Sequence, residues 1–363
     1  MNTGFYGEGT IAALLCVLSA TFLDAIVGDP PGLPHPVRGI GRLANATESI
    51  TTRFFGRSVA AGFLALTAMV LIVTAISALA VPLFLSAVML VASRTLTADA
   101  LTIAFGSFLL SFSFSSHELN ASGRRVHRAL VSGDIPEARK RLSMIVSRQT
   151  AELGHDEIIR GTVESLSENW LDSVAAPLMW ALLGAGLASL GAVGSHSDGI
   201  VQTLAGLLAG AWGYRCVNTL DAMWGYRSRR YERFGKAAAR LDDCLNFLPA
   251  RLAAPLLVIA ALAVPGSAMF RAAAVCGMDG RKSRSPNSGW VEAACAGAIG
   301  IGLGGPARYA GQLVDNPLIG EGVAIPDHIS RAIALNRAAL ALILVIIGAV
   351  LVLLMEHAGV NNG

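Results

Sequence analysis

Three carboxylates recur at four-residue steps in Glu164-x-x-x-Glu168-x-x-x-Asp172, within V-E-S-L-S-E-N-W-L-D-S-V-A-A-P. On a helix that spacing puts all three on one face, where like charges repel unless something positive sits among them. Two accounts suit the pattern. The face is solvated, or it meets Mg2+ carried on a nucleotide phosphate, because hard cations take oxygen ligands and keep several waters. Two more strings mix acids, amides and arginines. Arg215-x-x-Asn218-x-x-Asp221 leads into Tyr226, Arg227, Arg229, Arg230 and Tyr231, and Arg240-x-Asp242-Asp243-x-x-Asn246 leads into Pro249-x-Arg251. Adjacent acids with an amide one turn later, at the mouth of an apolar helix, suit a divalent cation and a phosphate.

Two other segments read as loops carrying polar groups. G-D-P-P-G-L-P-H-P-V-R-G-I-G (28–41) is too rich in Pro and Gly for a helix and holds Asp29, His35 and Arg38. A lone histidine such as His35 is more often structural than catalytic. D-G-R-K-S-R-S-P-N-S-G-W-V-E-A-A (279–294) offers Asn287 and then a helix starting near Trp290 with Glu292. The glycines of 296–306 lack the order of a phosphate-binding P-loop, so close helix packing is the simpler account of them.

The elements that must position these groups lie in lipid. Of 363 residues, 53% are apolar and 15% charged, with a mean hydropathy of +0.57, against roughly 25% charged in soluble domains. A crossing helix needs about 20 apolar residues. Candidate membrane segments are 9–28, 59–93 as a hairpin broken near Pro82 or else one long span plus a partial one, 173–214 as a second hairpin, 252–270 as a re-entrant element marked by Pro255 and Pro265, and 338–355. The polar segments between them are 29–57, 94–172, 215–251 and 271–337, with solvent-facing helices over 117–160. All four hold an excess or near-balance of Arg, so the positive-inside rule places none of them outside. The expected fold is therefore all-α: a single polytopic membrane domain over 1–363 whose cytoplasmic helical and loop segments form the active site.

The N-terminal apolar run leads into Asp29-Pro30-Pro31 rather than a cleavage site, and reads as a retained span. Five scattered cysteines and seven histidines show no transition-metal spacing. Of the 28 basic residues 25 are Arg, which suits bidentate contact with phosphate and carboxylate, although a GC-rich genome produces the same bias. Nothing points to a nucleic acid.

Taken together, five strings resemble the adenosylcobinamide-phosphate synthase family over roughly residues 20–335. They are G-D-P-x-x-x-P-H-P-V-R-x-I-G, E-S-L-S-E-N-W-L-D-S-V-A-A-P-L, N-T-L-D-A-M-x-G-Y-R, A-A-R-x-D-D-x-x-N-x-x-P-A-R-L and S-P-N-S-G-W-x-E-A-A-x-A-G-A-I-G-I-x-L-G-G-P. The resemblance implies ATP-dependent amide formation between the free propionate of adenosylcobyric acid, the corrinoid substrate, and aminopropanol or its O-phosphate, on a multi-pass enzyme of the cell membrane facing the cytoplasm. A homo-oligomer, or association with other cobalamin-assembly enzymes, is compatible with it. The family commonly reads G-R-D-T where this chain has Ser147-Arg148-Gln149-Thr150, so no acidic role carries over there. It commonly reads E-N-T-x-D-G where this chain has Glu168-Asn169-Trp170-Leu171-Asp172-Ser173, which keeps the acids among bulkier neighbours.

In that reading Glu164, Glu168, Asp172, Asp221, Asp242 and Asp243 do the catalytic work, with Glu164, Glu168, Asp172, Asp242 and Asp243 as the Mg2+ ligands. Arg38, Arg215, Arg227 and Arg251 hold phosphates. Asn169, Asn218, Asn246 and Asn287 orient substrate groups, with Asp29, His35, Tyr226 and Glu292 also in the substrate site. The competing class is a transporter whose Asp24, Glu168 and Asp172 line a pathway. It would place acids in mid-span, whereas most of the acids here lie at span edges and in polar segments.

Overall fold

The computed structural model describes residues 5–28, 35–90, 96–191, 199–225, 230–309 and 311–360. Among the described residues thirteen helices run α1 Phe5–Val27, α2 Pro36–Phe55, α3 Val59–Met89, α4 Leu96–Ser111, α5 Ser116–Val131, α6 Ile135–Leu142, α7 His155–Trp170, α8 Ala176–Gly191, α9 Gly199–Trp224, α10 Lys236–Ala260, α11 Met269–Asp279, α12 Ser288–Ile299 and α13 Asp327–Val360. A π-helical turn, Leu171–Ala175, joins α7 to α8, and a 3-10 turn, Ala261–Ala263, ends α10. Strands β1 Leu303–Tyr309 and β2 Gln312–Ile319 form one antiparallel hairpin. Among the described residues six helical stretches are long and apolar enough to cross a membrane: Gly7–Val27, Val59–Met89, Thr97–Val131, His155–Gly191, Lys236–Ala263 and Asp327–Glu356. The protein is an all-α, multi-pass membrane protein, and the hairpin is a small addition to it.

Three expectations need correction. Residues 59–89 are one helix, not a hairpin, with Pro82 inside it. A proline removes one ladder bond, whereas breaking the helix in lipid would strand several more backbone groups. The return is made by α4, which the polar reading of 94–172 missed; Phe84 and Phe105 stack between the two helices with ring centroids 4.1 Å apart. The loop expected over 28–41 ends early, because Pro36 occupies the first turn of α2, where its missing N–H costs nothing. Residues 252–270 are no separate element: their first half completes α10, with Pro249 and Pro255 inside the helix.

The chain divides into two compact units. The first comprises Met1–Ser115, Ala176–Leu245 and Val345–Gly363. Its centre is the α8–α9 pair, the expected hairpin over 173–214, held by small residues. A Cβ on Gly184 would strike the Gly206 carbonyl, one on Gly206 would strike Ala188 and one on Gly210 the Trp180 carbonyl, so the backbones touch and run antiparallel. Without a hydrophobic drive between helices in lipid, such close approach supplies the association energy. Helix α9 falls outside the six apolar stretches because α1, α3, α4 and α8 pack around it. Its neighbours are protein, so it need not be lipid-soluble on every side.

The second unit comprises Ser116–Ala175 and Asn246–Leu344. Here Gly123 of α5 lets Leu166 of α7 and Ile333 of α13 close in. Asp134 caps α6, accepting from Glu137 N at 2.9 Å, and Asn336 of α13 donates to the Leu166 carbonyl at 3.0 Å.

The glycine contact predicts a sharp contrast. Gly210→Val should lose about 1–3 kcal/mol to overpacking, read as a lower melting temperature in detergent. Gly186, with open space around its Cβ position, should accept Ala without loss. Equal melting of both variants would show that α8 and α9 are not this close.

Candidate active site

The acidic face of α7 is not uniform. Glu164 is buried, Glu168 exposed and Asp172 half-buried. Glu164 accepts from Arg148 Nη2 and, through Oε1, from the Gly304 backbone N–H at 2.6 Å. A second strand contact, Gln149 N–H to the Arg308 carbonyl at 2.8 Å, ties the same loop to β1. Gly304 sits at φ +84°, where an added Cβ would strike the Pro317 carbonyl, so only glycine brings its N–H to the carboxylate. Asn169 turns back onto its own helix, donating to the Ser165 carbonyl at 2.8 Å and to Ser165 Oγ at 3.0 Å.

Asp172 lies in the π-helical turn. Pro177 explains the turn: it cannot donate to the carbonyl four residues back and its ring crowds that carbonyl, so the helix widens just upstream. Ser173 Oγ donates to the loosened Asn169 carbonyl at 2.5 Å. The i, i+4 register of Glu164 and Glu168 is therefore not continued regularly to Asp172.

Helix α12 packs on α7 and brings Glu292 to this acidic surface. Burial first, then the Glu168 and Glu164 carboxylates, push the Glu292 carboxyl well above the usual carboxylate range, against the Ser288 hydroxyl and Arg148. One turn earlier, Arg251 Nη1 donates to Asn287 Oδ1 at 3.2 Å and to the Phe247 carbonyl at 2.7 Å. Its guanidinium lies over the Phe247 ring at 3.5 Å and faces Trp290 at 5.4 Å. The second unit thus gathers Glu164, Glu168, Asp172, Arg251, Asn287 and Glu292; Asn246, buried, belongs to it too.

The first unit holds the rest. Arg215 Nη1 donates to Asn218 Oδ1 at 3.1 Å, and Asn218 Nδ2 donates to Asp242 Oδ1 at 3.4 Å. Asp221 fills the space over Gly225. Asp243 lines a cleft of about 440 Å3 with Tyr231, Glu232, Lys236 and Arg240. His35 caps α2, its Nδ1 accepting from Val37 N at 3.2 Å, with its ring edge-on to Phe112; Arg38 is exposed one turn on. For His35 the geometry favours the structural role. Asp29, Tyr226 and Arg227 lie outside the described residues.

Of the five expected Mg2+ ligands, Glu164, Glu168 and Asp172 belong to one unit and Asp242 and Asp243 to the other, and among the described residues no three His, Cys, Asp or Glu side chains are grouped to hold an ion. Glu164 accepts on both oxygens, from Arg148 on one and from the Gly304 N–H on the other. A nucleotide-borne ion needs only one or two carboxylates besides phosphate oxygens.

One group escaped the sequence reading. Glu48 of α2, 3% exposed, accepts from Arg230 Nε and Nη2 at 3.1 and 2.8 Å, Arg57 Nη1 at 2.9 Å and the Tyr231 hydroxyl at 3.1 Å. It anchors Tyr231 at the wall of the cleft. Its only signal was a lone acid on a helix otherwise basic or neutral.

Two outcomes follow. Glu164→Ala strands Arg148, with side-chain exposures of 10% and 15% for the pair, and should cost about 3–5 kcal/mol of stability. Glu168→Gln should leave the melting temperature unchanged; matching losses would contradict the division of roles. For Glu48, burial tends to raise the carboxyl, but Arg230, Arg57 and Tyr231 outweigh it and hold it below the usual range. Its contribution to stability is therefore present above the unfolded value of about 4.3 and lost as pH falls through the lower folded value. Glu48→Gln should melt below the parent at neutral pH, with the two curves converging in acid; a gap independent of pH would refute the pairing.

Comparison with known proteins completes the picture. The family described as CobD/Cbib protein matches residues 17–336. A Cobalamin biosynthesis protein CobD from Geobacter metallireducens is 38% identical over 84% of this chain and 86% of its own length. Proteins of the same name from Desulfotalea psychrophila and Citrobacter koseri are 38% identical over 87% and 91%, and 36% identical over 93% and 98%, respectively. No solved structure matches. With a family match over most of its length and relatives this similar across nearly their whole chains, the protein belongs to the CobD/Cbib family.

Proposed function

We propose that this chain is a biosynthetic enzyme of cobalamin assembly: a membrane-bound, ATP-dependent ligase that joins aminopropanol or its O-phosphate to the free propionate of adenosylcobyric acid. One observation carries the reading. The family match spans the very segments in which Glu168, Asp172 and Glu292 stand around a fixed Arg148–Glu164 pair, beside Arg251 and Asn287.

An amide forms from a carboxylate only when one of its oxygens becomes a leaving group. The propionate oxygen attacks the γ-phosphorus of ATP, forming an acyl phosphate and releasing ADP. The amine lone pair then attacks the acyl carbon, phosphate leaves, and the nitrogen gives up a proton. Mg2+ on the nucleotide, held by Glu168 and Asp172, would screen the charge on the phosphoryl oxygens. Arg251, oriented by Asn287 and the Phe247 ring, neutralises a phosphate or a corrinoid carboxylate by its planar fork. Glu292, proton-bearing more readily than an ordinary carboxylate, suits the group that exchanges a proton with the amine. In the first unit, Arg215–Asn218–Asp242 and the cleft at Asp243 offer a second set of anion and amine contacts.

A transporter fits less well, because two of the spans are bare of charge: helix α3 has no charged residue, and α13 has none from 338 to 355. We place the polar segments in the cytoplasm, where ATP is found, because they carry nearly all the arginines.

The test is direct: purified protein in detergent, ATP, Mg2+, adenosylcobyric acid and either amine, with the amide and ADP followed by mass spectrometry. One amine should be incorporated with one ADP formed per amide. Glu168→Gln should lower kcat by about 100-fold or more while the fold persists. ATP-independent amide formation, or no amide with either amine from a folded protein, would sink the proposal.

A further inference from the structure

At the amino end of α10 the first unit holds a cleft of about 440 Å3, the size of a small-molecule site. Among the described residues its lining carries two bases and two acids. Lys236, Arg240 and Asp243 follow one another at steps that set them on one face of α10, and Glu232 stands on the turn before it. All four are exposed, so they meet whatever enters from water. Two bases at the positive end of a long helix suit an anionic group, and two acids beside them suit a cation.

The wall of the cleft is fixed from behind. Tyr231 and Gly235 line it, and the Gly235 N–H closes their turn on the Tyr231 carbonyl at 2.8 Å. Trp224 packs edge-on against Phe234 with ring centroids 5.1 Å apart, and its carbonyl lies where a Cβ on Gly235 would go. The Phe234 carbonyl in turn fills the space over Gly62 of α3. The remaining tie is Glu48, whose Oε2 accepts from the Tyr231 hydroxyl while Oε1 takes Arg230 and Arg57. Glu48 does not itself line the cleft, so it acts on it through Tyr231. All of these groups belong to the first unit.

The lining selects among the ligands of the proposed reaction. A corrinoid, a macrocycle fringed with amide arms, is larger than the cleft. A nucleotide brings several negative charges to a lining whose acids equal its bases. An amine with a phosphate at its other end matches both pairs.

We propose that this cleft seats the amine, its ammonium on Glu232 and Asp243 and its phosphate on Lys236 and Arg240, and that Glu48 is a positioning residue that holds Tyr231 and with it the shape of the cleft. The identity of the ligand rests on the reaction proposed above, and the geometry on the first unit alone.

Calorimetry on the full chain in detergent tests this without turnover, with aminopropanol O-phosphate as the probe, in the absence and presence of Mg2+ and a non-hydrolysable ATP analogue. The parent should bind the probe, and should bind aminopropanol about 10-fold more weakly, because Lys236 and Arg240 then face no charge. Ala239→Leu, which fills the cleft from α10, and Lys236→Met should each weaken the probe by about 10-fold or more and leave the ATP analogue within about twofold. Glu48→Gln and Tyr231→Phe should each weaken it about 10-fold, and the double variant should be no worse than either, because one acts through the other. Should Glu48→Gln not fold, Glu48→Asp, which keeps the charge but draws back from the Tyr231 hydroxyl, takes its place. No binding of the probe under either condition, an Ala239→Leu variant that binds it as the parent does, or a loss confined to the ATP analogue would remove the amine from the cleft. Equal binding of the two amines would overturn the role of Lys236 and Arg240, and additive losses in the double variant the role of Glu48. Binding as expected by a chain that forms no amide would fail the proposed reaction and keep the site; amide formation by a chain whose Ala239→Leu variant binds normally would do the reverse.

Discussion

A carboxylate removed from water must be given donors, and Glu164 has two that come from distant parts of the chain. Arg148 reaches it from the loop after α6, and Gly304 offers a backbone N–H from β1. Much of the second unit follows from satisfying that one charge. The loop is drawn to the helix, the strand is drawn to the loop, and Gly304 must be glycine for its N–H to arrive. Arg148 in turn lowers the electrostatic cost of keeping further acids on the same surface.

With Glu164 consumed in this way, the neighbouring acids differ in character although their spacing makes them look alike. Glu168 faces outward, Asp172 sits in a widened turn, and Glu292 meets them from another helix with its proton held more tightly. Such divergence among nearby carboxyl groups is how one surface comes to offer both a cation ligand and a proton carrier. Arg251 shows the same principle on the basic side, since a guanidinium stacked on Phe247 and bonded to Asn287 arrives already oriented.

The bilayer imposes a second constraint. Helices in lipid gain no hydrophobic free energy by meeting, so the first unit is held by close backbone approach at Gly184, Gly206 and Gly210 and by the enclosure of α9.

The sequence by itself determined the membrane class, the helical content, the α8–α9 hairpin and the acid, amide and arginine strings, because each is written in local period, hydropathy or spacing. It also carried the family resemblance, since ordered motifs survive without knowledge of their contacts. It favoured a hairpin over the one long span at 59–93, because one helix and two have the same hydropathy, and only the α3–α4 packing tells them apart. It did not reveal the partners of Glu164, since no local pattern says that Arg148 and Gly304 will arrive there, one from 16 and the other from 140 residues away. Glu48 was missed for the same reason, its partners at Arg230 and Tyr231 being 182 and 183 residues distant. Spacing fixes which side chains share a helix face; which partners each of them meets only tertiary folding decides.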